Sequence, residues 1–196
     1  MIKRMIVILH NIRSMHNVGS IFRTADAVGV EKIYLCGVTP APIDKFGRKR
    51  QQIAKVSLNA EDYVQWEQVK STTRFLDKLK EDGYFILAVE QSPTSIPYYE
   101  FSPLPVRHPE LVSGSHQKML KQAGPERGRK VRHDGTAFVL SKIALVFGNE
   151  IKGLSPSVLN RADKILEIPM KGKKESLNVA VAFGVVVFSL AFNQKI

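Results

Sequence analysis

Chemistry in this chain has to come from a short roster of side chains. Cys36 is its lone cysteine, so an internal disulfide and a thiolate zinc site are both excluded, and no HExxH pair of histidines is present. No GxSxG elbow offers an activated serine. No two glycines stand two residues apart, which removes the dinucleotide fingerprint. Residues 148–155, GNEIKGLS, approach the spacing of a phosphate loop, but Leu154 stands where a lysine must reach the phosphates and Glu150 sits inside the would-be cradle. A carboxylate there repels the phosphates, so an NTPase is excluded on charge.

Three other segments carry polar residues and glycines at strand-to-loop junctions. Residues 11–30, NIRSMHNVGSIFRTADAVGV, put Asn17 and Gly19 in a loop ahead of a helix that carries Arg23. Residues 144–155, ALVFGNEIKGLS, end a strand at Gly148 and then offer Glu150 and Gly153, the latter suited to close backbone approach or a positive φ. Residues 165–188, ILEIPMKGKKESLNVAVAFGVVVF, are a strand closed by Pro169, then a loop with Gly172, then Ser176 and Asn178 opening a long apolar element. Ser176 is the expected N-cap of that element.

The elements that must position these groups are strands alternating with helical stretches. MIVILHN, KIYLCGV, YFILAVE and IALVFGN are short apolar runs of strand length, and residues 71–80 have helical spacing. Pro40 and Pro42 make residues 38–47 a loop. This alternation predicts an α/β domain with a largely parallel sheet. The run LNVAVAFGVVVFSLAF, residues 177–192, is β-branched enough to favour strand by propensity yet long for one, and too short to span a bilayer. Residues 105–141 break the pattern, with seven basic side chains, three acidic ones and four glycines, and read as a flexible basic insertion in a single domain covering residues 1–196.

The 196 residues hold 29 Lys plus Arg against 18 Asp plus Glu, a net charge of +11. Such a balance favours a polyanion or an anionic membrane surface over an acidic protein partner. The run Lys45, Arg48, Lys49, Arg50 and Lys55 is the first candidate for phosphate contacts, ahead of a cluster at residues 127–132. With 44% hydrophobic residues a real core is available, and the apolar run Met5 to Leu9 is too short for a secretory leader, so a cytoplasmic protein is expected.

In that order, the three segments resemble the three motifs of the SPOUT superfamily, specifically the TrmH-like (SpoU) RNA 2′-O-ribose methyltransferases. The resemblance covers Met5 to about Asn193 and leaves only residues 105–141 without a counterpart. It implies an α/β-knot: a mostly parallel sheet flanked by helices, with the C-terminal part threaded into a deep trefoil knot. It also implies S-adenosylmethionine as cofactor, tRNA or rRNA as substrate, no metal, and a homodimer that completes the site. Residue by residue, it matches Arg23 to the arginine tied to catalysis, Asn17 and Glu150 to the substrate side, and Ser176 and Asn178 to the loop near the reacting centre. Glu150 could equally serve as a partner for an arginine or for backbone amides. Val89, Glu90, Gly148, Ile168, Met170 and Leu177 match the cofactor pocket. The same resemblance makes residues 177–192 a helix. Two alternatives stand beside this reading: a non-catalytic RNA-binding or assembly factor on the same fold, and a base-methylating SPOUT enzyme.

Overall fold

A computed structural model describes residues 4–102 and 142–192. The insertion expected at 105–141 lies outside the described residues. Seven strands form one sheet: β1 (Arg4–His10), β2 (Lys32–Cys36), β3 (Gln65–Val69), β4 (Phe85–Val89), β5 (Ile96–Pro97), β6 (Lys142–Phe147) and β7 (Lys164–Glu167). Their order across the sheet is β3-β2-β1-β6-β4-β7-β5, and every pairing is parallel. The α/β class with a parallel sheet is therefore as the sequence implies.

The helices cover both faces. On one side α1 (Met15–Val28), α2 (Gln51–Ser57) and α5 (Val179–Phe192) pack through Ile21, Phe22, Ile53, Phe183 and Val187 onto Val7, Leu9, Leu145 and Phe147. On the other, α3 (Thr72–Glu81) and α4 (Pro156–Leu159) pack through Leu76, Leu79 and Val158 onto Ile6, Ile8, Ala144 and Val146. Alternate residues of β1 thus feed two separate cores, which is why the strand is an unbroken apolar run rather than an alternating one. Among the described residues no helix is long and apolar enough to cross a membrane.

Three details depart from the sequence reading, and a fourth agrees with the helix that the resemblance implies. Helix α1 starts at Met15, capped by Ser14, whose hydroxyl accepts the Asn17 amide, so Asn17 and Gly19 lie in the helix and not in the loop before it. Gly19 is needed there, because a Cβ would stand 2.8 Å from the Ile53 carbonyl oxygen of α2. Strand β3, QWEQV, was unread because it is a polar edge strand with no fully buried residue. The N-cap of α5 is Asn178 and not Ser176: its Oδ1 accepts the Ala180 amide at 2.8 Å. Residues 179–192 are helical despite their valines, since burial against the sheet and α1 outweighs a small intrinsic preference.

Candidate active site

Because all strands run parallel, the loops that follow β1, β4, β6 and β7 leave from one edge of the sheet, where ligands of open α/β sheets bind. A solvent-open cleft lies there. Its walls are Val89, Glu90 and Gln91 after β4, Phe147 to Ile151 and Gly153 after β6, Glu167, Ile168 and Met170 at the end of β7, and Ser176, Leu177, Val179 and Ala182 at the start of α5.

Three loops are tied together at its mouth. Glu150 accepts the backbone amides of Arg13 and Ser14, both at 3.1 Å, and the Asn17 side-chain amide at 3.0 Å. The Asn17 carbonyl in turn accepts the Asn178 amide at 3.0 Å. One asparagine thus joins side chains 133 and 161 residues away in sequence. Burial alone would raise the Glu150 pKa, but the amides around its carboxylate outweigh that and hold it below the ordinary value of 4.5. A carboxylate kept ionised and occupied by three donors is a clamp for loops, so of the two roles open for Glu150 the geometry supports the partner of backbone amides.

Glu90 braces the floor in the same way. Its Oε2 accepts the Leu154 amide at 2.8 Å and its Oε1 accepts the Gln91 amide at 3.0 Å. Gly153, at φ 61°, lies against that carboxylate where any Cβ would collide. Both expectations for this glycine, positive φ and close approach, hold at once. At Gly148 a Cβ would meet the Gly153 carbonyl carbon at 2.6 Å. Asn149 closes the turn by accepting the Ile151 and Lys152 amides and donating to the Asn11 carbonyl at 2.8 Å. Gln91 reaches the Glu175 carbonyl at 2.6 Å, fastening β4 to the loop before α5.

The sequence model of the SpoU rRNA Methylase family matches residues 4–188, which takes in all three loops. The chain belongs to that family. A tRNA (guanosine(18)-2′-O)-methyltransferase of Aquifex aeolicus is 27% identical over 186 residues, covering 95% of this chain and 68% of that enzyme. The crystal structure of the A. aeolicus TrmH/SpoU tRNA modifying enzyme aligns with TM-score 0.69 at 26% identity, over 98% of this chain and 75% of that one. An AdoMet-bound rRNA methyltransferase from Sinorhizobium meliloti shares the fold, with TM-score 0.69 at 22% identity over 96% of this chain and 56% of that one. This chain spans between 57% and 68% of the length of the first curated relatives it matches.

For a SpoU family member the six residues matched to the cofactor pocket, Val89, Glu90, Gly148, Ile168, Met170 and Leu177, all line the cleft. Of the residues matched to catalysis, Glu150 and Ser176 line it, while Asn17 and Asn178 hold its mouth. Arg23 does not line it. It is exposed on α1, and no hydrogen bond or ion pair engages its side chain among the described residues. The basic run is split in role. Lys45 and Arg48 lie over the ring of Phe46, Lys49 pairs with Asp62 at 2.5 Å, Lys55 is exposed on α2, and Arg50 is half-buried at the start of α2. Among the described residues no cluster of three metal-ligating side chains occurs. Sequence reasoning missed Asn149 and Gln91, and the one available signal was their place two residues beyond the ends of β6 and β4.

Proposed function

We propose that this chain is an S-adenosylmethionine-dependent RNA methyltransferase that methylates a ribose 2′-hydroxyl of tRNA or rRNA in the cytoplasm, as a single domain acting in a homodimer. The observation that carries this reading is the Asn17 bridge from Glu150 to Asn178, which gathers the three family motifs around one cleft at the carboxyl edge of the sheet.

The residues present fit the cofactor. Apolar side chains from Val89, Ile168, Met170 and Leu177 suit an adenine, with backbone groups at strand ends to read its polar edge. Gly148 lets the Gly153 and Leu154 backbone approach closely and so shapes the cleft wall. Bound S-adenosylmethionine supplies a methyl group on a sulfonium, ready for in-line displacement. The protein's part is to place the hydroxyl and stabilise its charge. A guanidinium offers five N–H donors and no acceptor, so Arg23 acts by gripping the adjacent phosphate and stabilising developing alkoxide charge. A phosphate oxygen or water takes the proton. Ser176 and Asn178 orient the ribose from the loop before α5, and Glu150 keeps that loop in register with Asn17.

Arg23 reaches a cleft when two copies meet. Helix α5 is apolar on every side and leaves Val181, Phe188 and Phe192 exposed, the two rings stacked 5.6 Å apart. It packs on α1, with Thr24 against Gly184, so Arg23 and this apolar stripe belong to neighbouring helices of one layer. A second copy seated on the stripe covers it and brings Arg23 of one protomer toward the other's cleft. We also propose that the C-terminal part is threaded into the deep trefoil knot that the family resemblance implies.

The test is incubation with cofactor labelled in its methyl group and total RNA, followed by digestion to nucleosides. The expected product is a 2′-O-methylated nucleoside, and Arg23→Ala abolishes it while calorimetric cofactor affinity stays nearly intact. Label in a base instead supports the base-methylating alternative. Absence of both label and cofactor binding refutes the enzyme reading.

A further inference from the structure

We propose that Phe46 is a stacking platform for an unpaired base of the RNA substrate, with Lys45 and Arg48 taking the phosphates on either side. The proposal rests on the RNA reading above. Phe46 is 69% exposed, yet it does not sit on a loose loop. Asp44 Oδ1 accepts the amides of Phe46 and Arg48 at 2.8 and 2.9 Å, and the Asp44 amide donates to the Arg48 carbonyl at 2.9 Å. Gly47 turns the chain at φ 78°, Ile43 bridges to Lys49, and the Arg50 amide closes on the Pro42 carbonyl at 2.8 Å. The turn thereby holds the backbone at Phe46 in place while its ring stands in water.

The cations explain what the ring is for. Lys45 Nζ is 4.9 Å and Arg48 Cζ 5.6 Å from its centroid, and neither has a carboxylate partner among the described residues, unlike Lys49 with Asp62. At the base of the same turn, Arg50 Nε is buried without an acceptor. An apolar pocket of a protein partner would strip water from two charges and return nothing. A nucleotide answers both features, since its base offers a π face and its phosphates offer the counter-charge. A cation–π contact at an exposed site is weaker than a base–aromatic stack, so the incoming base displaces a cation toward the backbone. The turn also stands at the right edge. It follows β2, and the Val38 amide at its root is held at 3.1 Å by Asn11, whose own carbonyl is held by Asn149 of the cleft.

The experiment uses the full chain and a short fluorescein-labelled single-stranded RNA, followed by anisotropy over a range of salt. Phe46→Ala weakens binding about tenfold with the slope of log K against log salt unchanged, whereas Arg48→Ala lowers that slope by about one. Phe46→Trp retains affinity, and its emission, measured as the difference from wild type with its single Trp66, is quenched by the RNA and not by inorganic polyphosphate. Unaltered binding by Phe46→Ala, a changed slope, or equal quenching by polyphosphate overturns the platform while leaving the RNA reading in place. Failure of the wild-type chain to bind RNA overturns both.

Discussion

Replacing Glu150 by Gln tests whether its carboxylate is a clamp or a proton acceptor. The substitution keeps the shape, but one oxygen becomes an NH2 that faces donors: the Arg13 and Ser14 amides and the Asn17 Nδ2. Hydrogen bonds to a charged acceptor are worth about 1.5–3 kcal/mol each when buried, and exposure discounts these to about 0.5 kcal/mol each. The sum is about 1.5 kcal/mol, which for a chain of this size lowers Tm by roughly 3–6 °C. Freed from Glu150, Asn17 no longer fixes Asn178, and a displacement of about 1 Å at the reacting centre costs about a hundredfold in kcat. Methyl incorporation into RNA and differential scanning calorimetry on the same preparations read both quantities. Because folding lowers this pKa, the stabilisation is complete above the unfolded value of about 4.5 and is lost as pH falls through the folded value. The wild-type advantage over Glu150→Gln is therefore flat at neutral pH and vanishes in acid. A variant with wild-type Tm but no activity would refute the clamp and point to proton transfer.

Three further outcomes follow from the same geometry. Gly148→Ala drives a methyl group into the Gly153 and Leu154 backbones, and the cost of about 1–3 kcal/mol appears as lost cofactor affinity in calorimetry and a lower Tm. Phe188→Asp combined with Phe192→Asp yields a monomer in analytical ultracentrifugation, inactive on RNA but folded by circular dichroism, since both side chains are exposed in the single chain. Cys36 is buried and its thiol is pushed up to about 11, so at pH 8 it resists maleimide until the protein unfolds; burial here stabilises below the ordinary value of 9.0 and that contribution is lost as pH rises toward 11.

The residues that report on the sequence are the ones where local and tertiary preferences agree. β1 is legible because burial on both faces makes Met5 to Leu9 uniformly apolar, whereas the cleft-lining residues Val89, Glu90, Gly148, Ile168, Met170 and Leu177 were reached only through the family resemblance. β3 is not, because an edge strand carries no pattern that separates it from a loop. The cap of α5 was displaced from Ser176 to Asn178 because a single asparagine there both caps the helix and reaches Asn17, a tertiary demand with no local trace. Glu150 could be placed but not assigned, since its donors sit in a loop 136 residues earlier.

That separation has a temporal side. β1 pairs with β6, so until residue 147 exists one flank of the central strand is bare, and the Asn17 side-chain carbonyl has no partner until Asn178 is made. Contacts this distant in sequence close late and slowly. The mouth of the cleft is consequently assembled only once α5 exists: a product that stops short of residue 178 lacks the bond that joins α1 to the loop before α5.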